Sequence, residues 1–194
     1  EEQGGESSSS TVMELSAMES NEIEKRVMAE FASILGGRIQ MIVTGGAATS
    51  DAVLTFLKKC FKCHINDGYG ATEVGGIMDN GYIKHGVVFK LISVPEMGYL
   101  TSDKPYPRGE FCVKTETMFA GYFGNEELTR SQLDEEGFYH SGDIVELQGE
   151  KKIRIIDRIK NIFKLAQGEF IAPERLESVF VQSSYIDNIF IYGN

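Results

Sequence analysis

Three stretches of this sequence carry residue types that could do chemistry together. The first is Asp67-Gly68-Tyr69-Gly70-Ala71-Thr72-Glu73. Its two glycines let the backbone approach a flat or phosphorylated ligand closely. The tyrosine between them offers a ring to a base, Thr72 a hydroxyl to a phosphate, and Glu73 a hard oxygen to Mg²⁺. The same residues also suit a turn with Tyr69 packed inward. A dinucleotide fingerprint is ruled out, because the third glycine is misplaced for G-x-G-x-x-G.

The second stretch is Tyr139-His140-Ser141-Gly142-Asp143. A carboxylate that follows glycine at the start of a strand suits both hydroxyls of a ribose. Alone, it reads as a solvated turn aspartate. The third runs from Asp157 to Glu177 and places Arg158, Lys160 and Lys164 within seven positions, among apolar residues. Such a cluster suits a phosphate or a moving interface, and equally the charged outer face of an amphipathic hairpin.

These stretches need elements to position them. Residues 1–20 are polar and acidic, with a Ser7 to Ser10 run, and read as a mobile linker. Structure is expected from Asn21, a candidate N-cap with Glu24 three residues on. Ile23, Val27, Phe31 and Ile34 then recur at helical spacing. Ile39 to Thr44 reads as a short strand, Gly45-Gly46-Ala47-Ala48 as a tight loop, and Ser50 as the cap of a second helix. Val87 to Val94 and Glu110 to Lys114 read as strands, with prolines punctuating the loop between them. Ile144 to Leu147 and Ile153 to Ile156 form a hairpin around Gln148 to Lys151. Pro173 to Val181 reads as a helix with proline in its first turn, and Ile186 to Tyr192 as a final strand. An early strand–helix–strand order followed by strand-rich sequence gives an α/β chain with a mixed sheet. The end at Gly193-Asn194, just after that strand, reads as a cut through a domain.

Composition narrows the function classes. The 194 residues suit one ordinary domain or pieces of two, and a 42% hydrophobic fraction supports a core. A net charge of −10 argues against nucleic acid as a partner, which requires a basic stripe. A nucleotide pocket needs only one or two local cations and stays open. No apolar run approaches the ~20 residues of a membrane span. Three cysteines, Cys60, Cys63 and Cys112, form no disulfide framework, so an intracellular location is expected, cytoplasmic or peripheral on a membrane. Cys60-x-x-Cys63-His64 matches the haem-attachment pattern and half a zinc site. With no second Cys/His pair it is read as the structural end of a helix. His85 and His140 are assigned to the surface or to packing.

Taken in order, Gly-Tyr-Gly-Ala-Thr-Glu, Ser-Gly-Asp, then Asp-Arg-x-Lys with a later lysine and Gly-Glu-Phe-x-x-Pro resemble the core motifs of the adenylate-forming superfamily. That superfamily includes acyl-CoA synthetases, firefly luciferases and peptide-synthetase adenylation domains. Gly45 to Ala48 is similar to its adenine-proximal loop, and Gly121-Tyr122-Phe123-Gly124-Asn125 to its linking motif. Thr101 to Pro105, Pro107 to Glu110, Lys114 to Phe119 and Lys164 to Phe170 most resemble the adenylation domain of carboxylic acid reductases, and long-chain fatty acyl-CoA synthetases share most of this wording.

The resemblance implies ATP-dependent activation of a carboxylic acid, of fatty type, as its acyl-AMP, with transfer to the thiol of CoA or a carrier phosphopantetheine. It implies that Gly46, Ala47, Asp67, Gly68 and Tyr69 hold adenine, with Tyr69 stacking. Thr72 would contact the α-phosphate and Glu73 would ligate Mg²⁺. Asp143 would grip the ribose, helped by Arg158 and lined by Ile155. Asp157 matches a hinge, and Lys164 would sit near the nucleotide in one state. Residues 21–156 would then be the C-terminal part of the large domain and residues 157–194 the start of a small one. The superfamily's Ser/Thr/Gly-rich phosphate loop and the catalytic lysine of its small domain have no match here. This chain alone is therefore expected not to adenylate. The alternative is a non-catalytic module of the family that binds AMP or a partner.

Overall fold

The computed structural model describes residues 6–47 and 49–193, with side chains described from residue 20 on. Contacts group the chain into two units, Glu1–Val43 with Thr49–Asn66, and Thr44–Ala48 with Asp67–Asn194. The first unit opens with α1 (Glu6–Ile34). Asn21 lies inside this helix and caps nothing. The preceding Met, Leu, Ala and Glu residues are good helix formers and carry the helix back toward Glu6. Residues 1–5 of the expected linker lie outside the described residues. Phe31 meets Phe56 edge-on at 5.1 Å, whereas Ile23, Val27 and Ile34 of the same stripe are exposed. The Ser50 side chain accepts from Val53 N–H and caps α2 (Asp51–Cys60), as its position predicts.

Strands β1 (Met41–Gly45) and β2 (His64–Ala71) flank α2 and run from the first unit into the second. With β3 (Gly75–Asp79) and β4 (Tyr82–Ile83) they form a sheet in the order β1-β2-β3-β4. The glycine-rich stretch, expected as a turn, therefore lies mostly in β2, and the turn comes only after Ala71. Gly70 is required there by close approach. A Cβ on it would run into the Gly75 carbonyl and lie 2.9 Å from Gly76 Cα.

The site is carried by a second, antiparallel sheet in the order β5-β6-β7-β8. Its strands are β5 (Val88–Ile92), β6 (Arg108–Lys114), β7 (Tyr139–Leu147) and β8 (Ile153–Arg158). The predicted hairpin of Ile144 to Ile156 is the β7–β8 pair. Val74, Ile77, Phe111, Val113 and Val145 belong to one buried cluster, and Val94, Ile144 and Ile162 to another. Burial of each such side chain contributes roughly 1.5–3 kcal/mol. Two breaks of register matter. Cys112 pairs with His140 and Glu110 with Ile144, so Ser141, Gly142 and Asp143 together oppose Phe111. On β8 the pairing skips Ile156.

A short helix α3 (Glu126–Gln132) lies between β6 and β7, and beyond β8 the chain forms α4 (Pro173–Phe180), with Pro173 in its first turn as expected. A two-residue ladder joins β9 (Phe163–Lys164) to β10 (Phe170–Ile171). The final strand expected at Ile186 to Tyr192 is absent among the described residues. A strand needs an edge to pair with. Ile191 N–H instead donates to Glu177 Oε1 at 2.7 Å, and Phe190 stacks on Tyr192. The α/β class predicted from the element order is the observed one.

Candidate nucleotide site

Every residue singled out in the three stretches falls in the second unit. At its centre is Asp143, with 4% of its surface exposed. The β7 excess places it beside β8, where it pairs with Arg158. Arg158 Nε donates to Asp143 Oδ1 at 3.1 Å, and the Tyr69 hydroxyl donates to Asp143 Oδ2. A buried carboxylate requires such compensation. Tyr69 is held well above the usual phenol range, first by its own burial and then by the Asp143 charge, so it stays a donor. Its ring lies 6.2 Å from that of Phe111. The predicted inward packing of Tyr69 is thus realised, and the hydroxyl ties the first stretch to the second.

The neighbouring parts are ordered by backbone and side-chain bonds. Thr44 Oγ1 donates to Asp67 Oδ1 at 2.7 Å, and Asp67 N–H donates to Asn80 Oδ1 at 3.0 Å. Gly46 and Ala47 are exposed on the loop after β1, and Ala48 lies outside the described residues. Gly68 pairs with Asp79 in the β2–β3 ladder. Thr72 is exposed in the turn after β2. Glu73 is half-buried and accepts from the Tyr122 hydroxyl on Oε1 at 2.7 Å. Its carbonyl accepts from Phe119 N–H at 2.7 Å. Burial, then the Glu73 carboxylate, raises the Tyr122 phenol. Ile155 is half-buried on β8, opposite Val145.

Lys164 is not brought to Asp143. Its ammonium stands 5.2 Å from the Phe170 ring centroid, and among the described residues it makes no ion pair. Asp157 is 1% exposed. Its Oδ1 accepts from Arg158 N–H at 2.7 Å, while Oδ2 is buried with no hydrogen-bond partner among the described residues.

Two participants escaped the sequence. Tyr122 was legible only as part of a linking motif. His140, assigned to surface or packing, faces Glu110 Oε2 through Nδ1 at 3.0 Å, with Cys112 Sγ 3.6 Å from the same nitrogen. These three donors lie within 4.8 Å of one another, close enough to bracket a metal. Burial pushes the Cys112 thiol up to about 12, and the His140 Nδ1 bond to Glu110 ties the group together. Cys60 is buried with its sulfur 2.9 Å from Met28 Sδ.

The Asp143 carboxylate is charge-compensated, and a Cβ added at the neighbouring Gly142 would meet nothing within 4 Å, which leaves open space beside it. Glu73, oriented by Tyr122, fits a hard cation such as Mg²⁺.

The comparisons with known proteins agree. The family model described as AMP-binding enzyme matches residues 8–123, and the chain belongs to that family. It is 42% identical over 182 residues to the peroxisomal long chain acyl-CoA synthetase 7 of Arabidopsis thaliana, covering 88% of this chain and 26% of that protein. It is 43% identical over 176 residues to the carboxylic acid reductase of Mycobacterium tuberculosis, covering 89% of this chain and 15% of that one. A solved structure of the carboxylic acid reductase A domain from Segniliparus rugosus, in complex with AMP and a co-purified carboxylic acid, superposes with a TM-score of 0.81. That pair is 38% identical, over 88% of this chain and 27% of the other. The chain thus spans about a quarter or less of the length of these relatives. No helix among the described residues is long and apolar enough to cross a membrane.

Proposed function

We propose that this chain supplies the ribose and adenine side of the site in an enzyme that activates a carboxylic acid, fatty or similarly apolar, as its acyl-AMP at the expense of ATP. The acyl group then passes to the thiol of CoA or of a carrier phosphopantetheine, and the enzyme works inside the cell. The observation that carries this reading is the buried Asp143 carboxylate, held by Arg158 and Tyr69 from two other strands. In it, Asp143 accepts from both ribose hydroxyls while Arg158 keeps its charge compensated. Gly46, Ala47, Asp67, Gly68 and Tyr69 border adenine, and Ile155 lines the same side. Thr72 donates to the α-phosphate and Glu73 holds Mg²⁺, which supplies charge stabilisation when bound. Lys164, without an ion pair among the described residues, moves onto the nucleotide in one state, with Asp157 as the hinge of the turn it makes.

The test is AMP binding to the chain and to its Asp143→Asn variant by titration calorimetry. Bonds to a charged acceptor contribute about 1.5–3 kcal/mol, so affinity should fall about tenfold to a hundredfold. Unchanged affinity removes the ribose assignment.

A further inference from the structure

We propose that Glu110 is a positioning residue for the ribose carboxylate, acting through the Ser141-Gly142-Asp143 excess of β7; this rests on the reading of Asp143 given above. Three residues opposite one cannot all join the ladder, and their backbone groups need other partners. Several of them find partners outside the β6 ladder. Ser141 Oγ donates to the Phe111 carbonyl at 2.6 Å, and Asp143 N–H donates to Ser141 Oγ at 3.1 Å. The Gly142 carbonyl accepts from Ile159 N–H at 2.8 Å. Gly142 N–H donates to Glu110 Oε1 at 3.2 Å.

Gly142 holds φ +70°, a left-handed conformation that only glycine adopts freely. A glycine there is also the residue least able to hold its own conformation, so an external restraint is needed. Glu110 supplies it from the adjacent strand. Its other oxygen, Oε2, lies 3.0 Å from His140 Nδ1. One carboxylate therefore spans from the residue just before the excess to its middle. The Glu110 side chain is only 14% exposed, and bonds to an ionised acceptor in such surroundings are the stronger kind. Glu110 touches neither the Asp143 carboxylate nor the ribose position. It fixes where Asp143 starts from.

The experiment compares AMP with 2′,3′-dideoxy-AMP on the full chain, as wild type, Glu110→Ala, Glu110→Gln, Asp143→Asn and the Glu110→Ala/Asp143→Asn double variant. Glu110→Ala should weaken AMP about threefold to tenfold and dideoxy-AMP by less than about twofold. Glu110→Gln should restore AMP binding, since its amide oxygen still accepts from Gly142 and its NH₂ suits a neutral imidazole nitrogen. In the double variant the loss should be no greater than in Asp143→Asn alone, because a positioning effect vanishes with the group it positions. Equal weakening of both nucleotides, or additive losses, would show a merely structural role and overturn the proposal. Should Glu110→Ala not fold, Glu110→Asp, which keeps the charge but shortens the reach, carries the same comparison. If Asp143→Asn loses affinity and Glu110→Ala does not, this proposal alone fails. If Asp143→Asn binds AMP unchanged, the ribose reading fails and takes this one with it.

Discussion

Asp143 and Asp157 are buried carboxylates on neighbouring strands, one at each side of the β7–β8 ladder. Asp143 accepts from Tyr69 on β2 and Arg158 on β8. Asp157 has one oxygen on the Arg158 amide and the other with no hydrogen-bond partner among the described residues. The regions around them differ in the same sense. Around Asp143, four strands and an ordered loop converge. Beyond Asp157, order rests on one short helix and a two-residue ladder, and Val179, Phe180, Tyr185, Phe190 and Tyr192 are exposed. Asp143 is compensated from two other strands at once, whereas Asp157 is compensated by nearby backbone, at Arg158 and Glu174.

That contrast can be broken at three further points. The largest effect is expected at Gly70→Ala. The new methyl would strike the β3 backbone and displace Tyr69 from Asp143. Overpacking against backbone costs about 1–3 kcal/mol, readable as a lowered urea midpoint, and AMP affinity should drop with it. A variant with wild-type stability would show that the corner is not held by backbone contact.

Asp157→Asn sharpens the other side. Burial, reinforced by the charges of Glu174 and Glu177, raises the Asp157 carboxyl, so the folded state keeps this proton to higher pH than the unfolded chain. Its stabilising contribution is full below the usual aspartate value and is lost as pH rises through the folded one. Asparagine cannot ionise and still accepts from Arg158 N–H. The variant should be more stable than wild type at pH 7 by about 1 kcal/mol, and the gap should close as pH approaches 4. Urea midpoints at both pH values decide it, and a gap independent of pH would contradict the account.

The smallest effect is expected for Lys164→Ala. An exposed side chain with no ion pair among the described residues should change stability by less than about 0.5 kcal/mol, read as the urea midpoint. A loss of about 2 kcal/mol or more, the scale of a buried contact, would show that Lys164 is held as firmly as Asp143.

Much of this arrangement was legible in the residues themselves. Ser50 before an amphipathic run, Pro173 at a helix start and the turn residues between β7 and β8 each carry a local cause, and each element forms as read. The ordered motifs marked Tyr69, Asp143 and Arg158 as one group. What stayed hidden depends on register. The Glu110–His140 contact exists because β6 and β7 pair with an excess of residues on one side, and no periodicity announces that. The Tyr122 bond to Glu73 joins residues 49 positions apart. The missing final strand failed for a related reason: its apolar sequence suits a strand, but pairing needs an edge that local sequence does not contain.

The excess in β7 has a genetic consequence. It amounts to two residues beyond the one-to-one count, and side chains alternate faces with a period of two. Loss of two codons between His140 and Ile144 would therefore leave every later residue of β7 on its present face. The sheet could close as a regular ladder, with its core sequence unchanged and the Asp143 corner erased. Loss of a single codon would instead leave a one-residue excess, an ordinary β-bulge, with the corner bent differently.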